Sequence, residues 1–438
     1  MDDFTRLYGP ASRRGILRGA GSVGLTLAAM PLMSCAQESA AMNVQDWPEV
    51  EAMLQRYLDT GKIANIQAML GMGSSSLLIS MNSSDFDPEN GAADGDSLYR
   101  LYSMTKPIVG MATMLLIAEG QLALDQPLAD ILPGFADMQV QVEYDGAITT
   151  ENLEPAARPI TIRNMLTHTS GLGYAVVQQG PLSDAMKAAG AVTGLVGPDP
   201  SPALARGTPV ASLQEFADIM ATMPLTHQPG TQWSYSTGLD VMGRVIEVVS
   251  GQDFASFLKA RIFDPCGMEN SYFRVPADAL GLMTTNYDVQ GDEPIVVDPA
   301  QDTVFQGDGY FPMGGTGLVS SPNDYDRFLR MIANSGMIDG TQVLPEEAVI
   351  MGTSDLLPRP GVTQGSWVEG RQFGAAGQLG WAGMDHAYGW AGSAGTVGFV
   401  DRASGLRAAI YAQYMPASTW PISDDFQAAI QADLANIA

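Results

Sequence analysis

The sequence predicts an α+β fold: a mainly antiparallel sheet flanked by helices, with a sheet lobe built from both ends of the chain and a helical lobe inserted between. Three observations carry this. Strand patterns lie near both termini, at 66–72 and 76–81 and again at 396–401 and 406–414. Between residue 102 and about 300 the apolar spacing is mainly helical. The 438 residues are 46% hydrophobic and only 16% charged, enough apolar material for a buried core, which excludes a disordered chain or a coiled coil.

Taken in order, the first 35 residues read as an address. Ser12-Arg13-Arg14-Gly15-Ile16-Leu17-Arg18 has the form of a twin-arginine export signal, followed by an uncharged run over 19–33. At 1.5 Å per residue that run cannot span ~30 Å of hydrocarbon, so it is a signal core and not a membrane helix. Leu32-Met33-Ser34-Cys35 then resembles a bacterial lipobox, in which Cys35 would be lipidated and attach the mature protein to a membrane. A cleaved signal with an incidental cysteine is the alternative. Either way the expected location is the periplasm or cell envelope.

A single folded unit is expected over 36–438, with the sheet lobe at about 45–100 plus 305–438 and the helical lobe at about 101–304. Asp46-Trp47-Pro48-Glu49 supplies an N-cap and an early proline, and Gly61 a stop, for an amphipathic helix carrying Val50, Met53, Leu54, Tyr57 and Leu58. The two strands at 66–72 and 76–81 are split by a Gly-Ser turn. Helices are expected at 106–120, 162–167, 213–223 and 237–250. Arg402-Ala403-Ser404-Gly405 marks the hairpin between the late strands, and a helix over 424–437 closes the chain. Ten of the 34 residues at 176–209 are Gly or Pro, against 75 in 438 overall, which predicts a long irregular excursion. A second is expected at 361–389, carrying Trp367, Phe373 and Trp381.

Composition removes several functions. Lys plus Arg total 22 against 48 Asp plus Glu, a net charge of −26. Such a surface repels phosphate backbones, so nucleic acid is not an expected partner. Cleavage before Cys35 would remove four arginines and two aspartates and leave −28. Cys35 and Cys266 are too few for a disulfide framework or a thiolate metal site, and His168, His227 and His386 lack zinc-site spacing. No metal or organic cofactor is implied, and no residue pattern specifies an oligomeric state.

Chemistry centres on Tyr102-Ser103-Met104-Thr105-Lys106. Positions i and i+3 share one helix face with Cβ atoms ~5–6 Å apart, so the amine can reach the hydroxyl. The helix N-terminus favours an alkoxide and disfavours an ammonium. Apolar residues at 98–102 and 108–118 frame the pair, which makes a charged lysine expensive. Bringing its pKa from ~10.4 to about 7 would cost roughly 4–5 kcal/mol. A second S-x-x-K, Ser256-Phe257-Leu258-Lys259, reads as an ordinary surface helix. No G-x-S-x-G occurs, which argues against an α/β-hydrolase.

The context of the first motif resembles the serine β-lactamase/penicillin-binding superfamily, in its class C-like branch with the family VIII carboxylesterases and 6-aminohexanoate-oligomer hydrolases. The resemblance rests on Leu101-Tyr102-Ser103-Met104-Thr105-Lys106-Pro107, on Thr167-His168-Thr169-Ser170-Gly171-Leu172, and on Pro229-Gly230-Thr231-Gln232-Trp233-Ser234-Tyr235-Ser236. Gly315-Thr316-Gly317-Leu318-Val319-Ser320 and Tyr388-Gly389-Trp390-Ala391-Gly392-Ser393-Ala394-Gly395-Thr396 follow in the same order. It implies a β-lactamase/transpeptidase-like fold, Ser103 as acylated nucleophile, Lys106 as its base and Tyr235 as the phenol that passes a proton to the leaving group. Backbone N–H groups of Ser103 and Ser393 would form the oxyanion hole. A cation at Lys106 would draw the Tyr235 phenol toward useful basicity.

Two departures point to the substrate. Thr237 stands where the family's lactamases usually have an asparagine for a substrate amide, and the K-T-G strand reads Trp390-Ala391-Gly392. Trp390 offers an apolar wall in place of a cation for carboxylates, as in the family VIII esterases. Thr237, Trp390, Gly392 and His386 are therefore the expected pocket residues, and a small-molecule ester the expected substrate. His168 is expected to stitch a turn. Rival readings are a β-lactamase or D-Ala-D-Ala carboxypeptidase, an amidase, and a non-catalytic binding protein.

Overall fold

The computed structural model describes residues 42–82, 86, 91–197, 207–235 and 237–437. The address segment, Cys35 and Ser236 therefore lie outside the described residues. Strands β1 (Asn65–Met72) and β2 (Ser75–Asn82) form a hairpin early in the chain. Strands β3 (Gln378–Trp381), β4 (Met384–Gly392), β5 (Thr396–Val400) and β6 (Leu406–Tyr411) come from its far end. All six join in one antiparallel sheet of order β3-β4-β5-β6-β1-β2, with Ala68 opposite Ile410 and Met69 opposite Ala409 where the two ends meet.

The helices that matter here are α1 (Pro48–Leu58), α2 (Thr105–Ala118), α3 (Ile162–Leu166), α4 (Gly238–Ser250), α5 (Pro322–Ala333) and α6 (Ile422–Ile437). Side-chain alternation sorts them into layers. Ile66, Ala68 and Leu70 of β1, with Leu406, Ala408 and Ile410 of β6, join one core with Val50 and Leu54 of α1 and Phe426 and Ile430 of α6. Met69, Ala409 and Tyr411 face the other way, into a core shared with Tyr325 and Phe328 of α5 and with helices α2, α3 and α4. The helical lobe is thus an extension of one face of the sheet. Arg407 of β6 and Asp326 of α5, paired at 2.8 Å and both buried, tie that layer down.

Several expectations shift. The N-cap of α1 is Trp47, without a side-chain cap bond; Asp46 instead closes a short turn, Val44–Asp46, by accepting from the Asn43 N–H at 3.1 Å. The excursion at 176–209 contains a helix, Pro181–Ala188, and the stretch at 361–389 contains β3 and the start of β4. The strand expected to run to residue 414 ends at Tyr411, after which Tyr414 and Met415 pair in parallel with Tyr287 and Asp288. Lys259 is an exposed residue paired to Asp264, a surface position as expected. Among the described residues no helix is long and apolar enough to cross a membrane.

Candidate active site

Ser103 sits in the short turn Tyr102–Met104 that leads straight into α2. The motif therefore straddles a tight turn and the first turn of a helix. Tyr102 holds a left-handed φ of 45°, a costly conformation for a residue with a side chain. Its carbonyl is fixed by the Thr105 hydroxyl at 2.6 Å, and that hydroxyl accepts in turn from the Leu318 N–H at 3.1 Å. From the other side β4 presses on the turn. A Cβ on Gly392 would lie 2.2 Å from the Leu101 carbonyl oxygen, so only glycine lets the strand approach so near. Ser393 follows, half-buried, in the turn to β5.

Lys106 is 1% exposed, because every residue of α2 from Thr105 to Leu116 is buried. Its Nζ donates to Ser103 Oγ at 3.1 Å and to the Gly315 carbonyl at 2.7 Å, and lies 4.7 Å from the centre of the Tyr235 ring. Burial drives the amine down to about 8, against smaller upward pulls from Tyr174 and Asp240.

Tyr235 arrives on a segment strapped to the turn after α3: the Ser234 N–H donates to the His168 carbonyl at 2.8 Å, and the Gly230 N–H to the Thr169 carbonyl at 2.7 Å. Its hydroxyl is hydrogen-bonded to Ser103 and accepts from the Trp390 indole N–H at 3.1 Å. The expectation that Lys106 draws this phenol downward fails. Burial raises it well above its ordinary value, outweighing the hydrogen bonds from Ser103 and Trp390. At rest it is a neutral phenol able to relay a proton, while Lys106 is the group that titrates near neutrality.

The remaining expected residues separate. Trp390 is fully buried and is a hydrogen-bond donor to the phenol as well as a wall. Thr237 is buried but turned away: its hydroxyl donates to the Gly173 carbonyl at 3.0 Å, tying the start of α4 to the loop after α3. His386 is exposed, four residues up β4 from Trp390 and so roughly 13 Å distant, outside the cluster. His168, with φ of 54°, is buried in ring contact with Tyr235 at 4.9 Å, and burial plus the Lys106 charge hold it neutral.

The structure adds Asp240 and Tyr174, which the sequence reading passed over, and gives a place to three aromatics that it names without a role. Asp240, 2% exposed in the first turn of α4, accepts from the Gly315 N–H at 2.9 Å. Tyr174 lies 5.8 Å from the Tyr235 ring. Trp233, Phe373 and Trp367 complete an aromatic enclosure, Trp367 being half-exposed and 5.5 Å from Tyr235. Among the described residues no group of three or more His, Cys, Asp or Glu side chains is gathered as for a metal. A hydroxyl, a buried amine with a lowered proton affinity and a neutral phenol in one hydrogen-bonded set can activate a nucleophile and protonate a leaving group.

Comparison with known proteins agrees in fold and in extent. Residues 51–432 match the family model described as Beta-lactamase. Esterase EstB of Burkholderia gladioli is 33% identical over 334 residues, 71% of this chain and 76% of that protein. A lovastatin esterase of Penicillium rubens is 32% identical over 252 residues, 56% of this chain and 57% of its own length. With a Mycobacterium tuberculosis protein the chain shares 34% identity over 265 residues, spanning 60% of that relative's length. Among solved structures EstCE1, described as a hydrolase with promiscuous acyltransferase activity, superposes with a TM-score of 0.69 at 19% identity, over 88% of this chain and 100% of that one. At that identity the likeness concerns the fold. A sandwich sheet with an inserted helical lobe, a serine–lysine turn at the head of the buried helix and a family match over nearly all the described residues lead to one statement: the chain belongs to the beta-lactamase family.

Proposed function

We propose that this chain is an exported serine hydrolase that cleaves carboxylic esters through an acyl-enzyme on Ser103. The observation that carries it is the bonded set in which Lys106 Nζ stands 3.1 Å from Ser103 Oγ while Tyr235 links Ser103 to Trp390. Ser103 Oγ attacks the ester carbonyl carbon and its proton passes to the neutral Lys106 amine. The tetrahedral oxyanion is received by the backbone N–H groups of Ser103 and Ser393. As the intermediate collapses, the C–O bond to the alcohol breaks and the departing oxygen takes a proton through Tyr235 from Lys106. Water then enters, loses a proton to Lys106 and bonds to the acyl carbon; the C–Oγ bond breaks, Ser103 Oγ takes that proton back from Lys106, and the acid leaves.

Trp390 supports an ester over a β-lactam or a peptide stem. Where the family's lactamases place a cation for the substrate carboxylate, this chain has a buried indole whose N–H is already engaged with Tyr235. Names of two relatives, Esterase EstB and lovastatin esterase, point the same way. Export rests on the twin-arginine pattern and uncharged run, and membrane attachment on a lipid at Cys35. Comparing p-nitrophenyl butyrate with a chromogenic cephalosporin and a matched anilide tests the reading. Preference for the ester is expected, and preference for either of the others overturns it. Fluorophosphonate labelling should disappear in Ser103→Ala; persistent labelling removes Ser103 as the nucleophile. Palmitate incorporation lost in Cys35→Ala tests the anchor.

A further inference from the structure

Asp240 is a buried carboxylate that the proposed reaction does not use. It stands five residues beyond Tyr235, in the first turn of α4, and is 2% exposed. Its Oδ1 accepts from the Gly315 N–H at 2.9 Å, and the carbonyl of the same residue accepts from Lys106 Nζ at 2.7 Å. One residue thus receives the amine on its carbonyl and presents its N–H to the carboxylate. The fit leaves no slack, since a Cβ on Gly315 would lie 2.7 Å from Asp240 Oδ2. A buried carboxylate is costly to keep unless it serves something.

We propose that Asp240 is a positioning residue for Lys106: its carboxylate holds the Gly315 N–H so that the Gly315 carbonyl receives the amine, and it stands as a buried acidic group beside that amine. This rests on the reading of Lys106 as the base. The titratable side chains that face Lys106 are Asp240 from α4, Tyr174 and His168 from the stretch after α3, and Tyr235 from the segment before α4. His168 is held neutral and the Tyr235 phenol is pushed upward by burial. Tyr174 exerts the larger upward pull on the amine and Asp240 the next; Asp240 is the carboxylate of the set. Its own acidity is weakened to about 6 by burial, against the pull of Lys106 and of the Gly315 N–H. Above that value it carries the charge that opposes loss of the ammonium.

The sign is therefore fixed. Removing the charge makes the ammonium easier to deprotonate, so the acid limb of kcat/KM against pH should move measurably to lower pH in Asp240→Asn. Maximal kcat should change little in the same variant, because an amide oxygen at that place can still accept from the Gly315 N–H and hold its carbonyl toward the amine. Asp240→Glu keeps the charge while disturbing the bond; it should lower kcat and leave the limb near its wild-type position. The pH dependence of the fluorophosphonate labelling rate at Ser103 reads the same amine without turnover. A limb that stays in place in Asp240→Asn, or moves equally in both variants, overturns the proposal. Absent labelling of the wild-type protein would instead bring down the reading on which it rests, so the two failures are distinguishable.

Discussion

At the scale of single residues, Trp390 supplies an N–H to the Tyr235 oxygen at 3.1 Å. Trp390→Phe keeps most of the ring volume and deletes only the donor. A hydrogen bond of this kind is worth about 1 kcal/mol, so kcat/KM for p-nitrophenyl butyrate should fall roughly five-fold with Ser103 labelling retained. An unchanged value would mean that the phenol needs no support from the indole. Lys106 gives the second expectation at this scale. The amine must be neutral to take the serine proton, and burial has lowered it to about 8. Activity should accordingly rise with pH through that region and decline as the medium turns acid. A profile already flat from pH 5 upward would exclude Lys106 as the titrating base.

The residues joined by chain-local logic were readable beforehand, and those joined by folding were not. Ser103 and Lys106 are three positions apart on one turn, and the spacing alone puts them together. Asp240 gave no such signal: an aspartate in the first turn of a helix reads as a partner of the helix dipole. Its bond is to Gly315, 75 residues later, and only the folded chain makes it. Thr237 and His386 failed for the complementary reason. Nearness in sequence to Tyr235 and Trp390 suggested pocket positions, yet one hydroxyl is spent on Gly173 and the other side chain lies up the strand in solvent.

At the scale of elements, strands and long helices announced themselves because a side-chain period survives any environment. The segment at 176–209 concealed a helix because its prolines and glycines were counted as breakers. Pro181, directly after Gly180, is instead at the start of Pro181–Ala188, where its missing N–H costs nothing. The loop between residues 357 and 377 has more bearing on substrates. Gly361, Gly365 and Gly370 all take positive φ, and Trp367 leans from it over the buried aromatic set, 4.8 Å from Trp233 and 5.7 Å from Trp390. It is the half-exposed member of that set. Trp367→Ala should lower kcat/KM about ten-fold for a phenylacetyl or naphthoyl ester while leaving the acetate ester within two-fold. Equal losses on both would show that the ring supports the Tyr235 cluster and does not select the acyl group.

For the molecule as a whole, charge and connectivity set the outer limits. The chain carries a net charge of −26, so an anionic ester should approach against the field and a cationic one with it. Raising the salt from 20 mM to 500 mM shortens the screening length to a few ångströms. The ratio of kcat/KM for a choline ester over a matched succinyl ester should shrink several-fold across that range. A constant ratio would assign the discrimination to contacts inside the pocket.

The meeting of β1 and β6 at the middle of the sheet also governs how the chain comes into being. Gln67 lies opposite Tyr411, 344 positions later, so the first strand leaves the ribosome long before its neighbour exists. Until then one flank of the hairpin is bare, an invitation to pair with other nascent chains. A premature stop just after Trp390 would keep Ser103, Lys106 and Tyr235 but lose the Ser393 N–H and deny the hairpin its partner, so inclusion bodies are the expected outcome. Such a stop removes residues 391–438, the strand Leu406–Tyr411 among them, so cellular quality control should clear the truncated chain as unfolded.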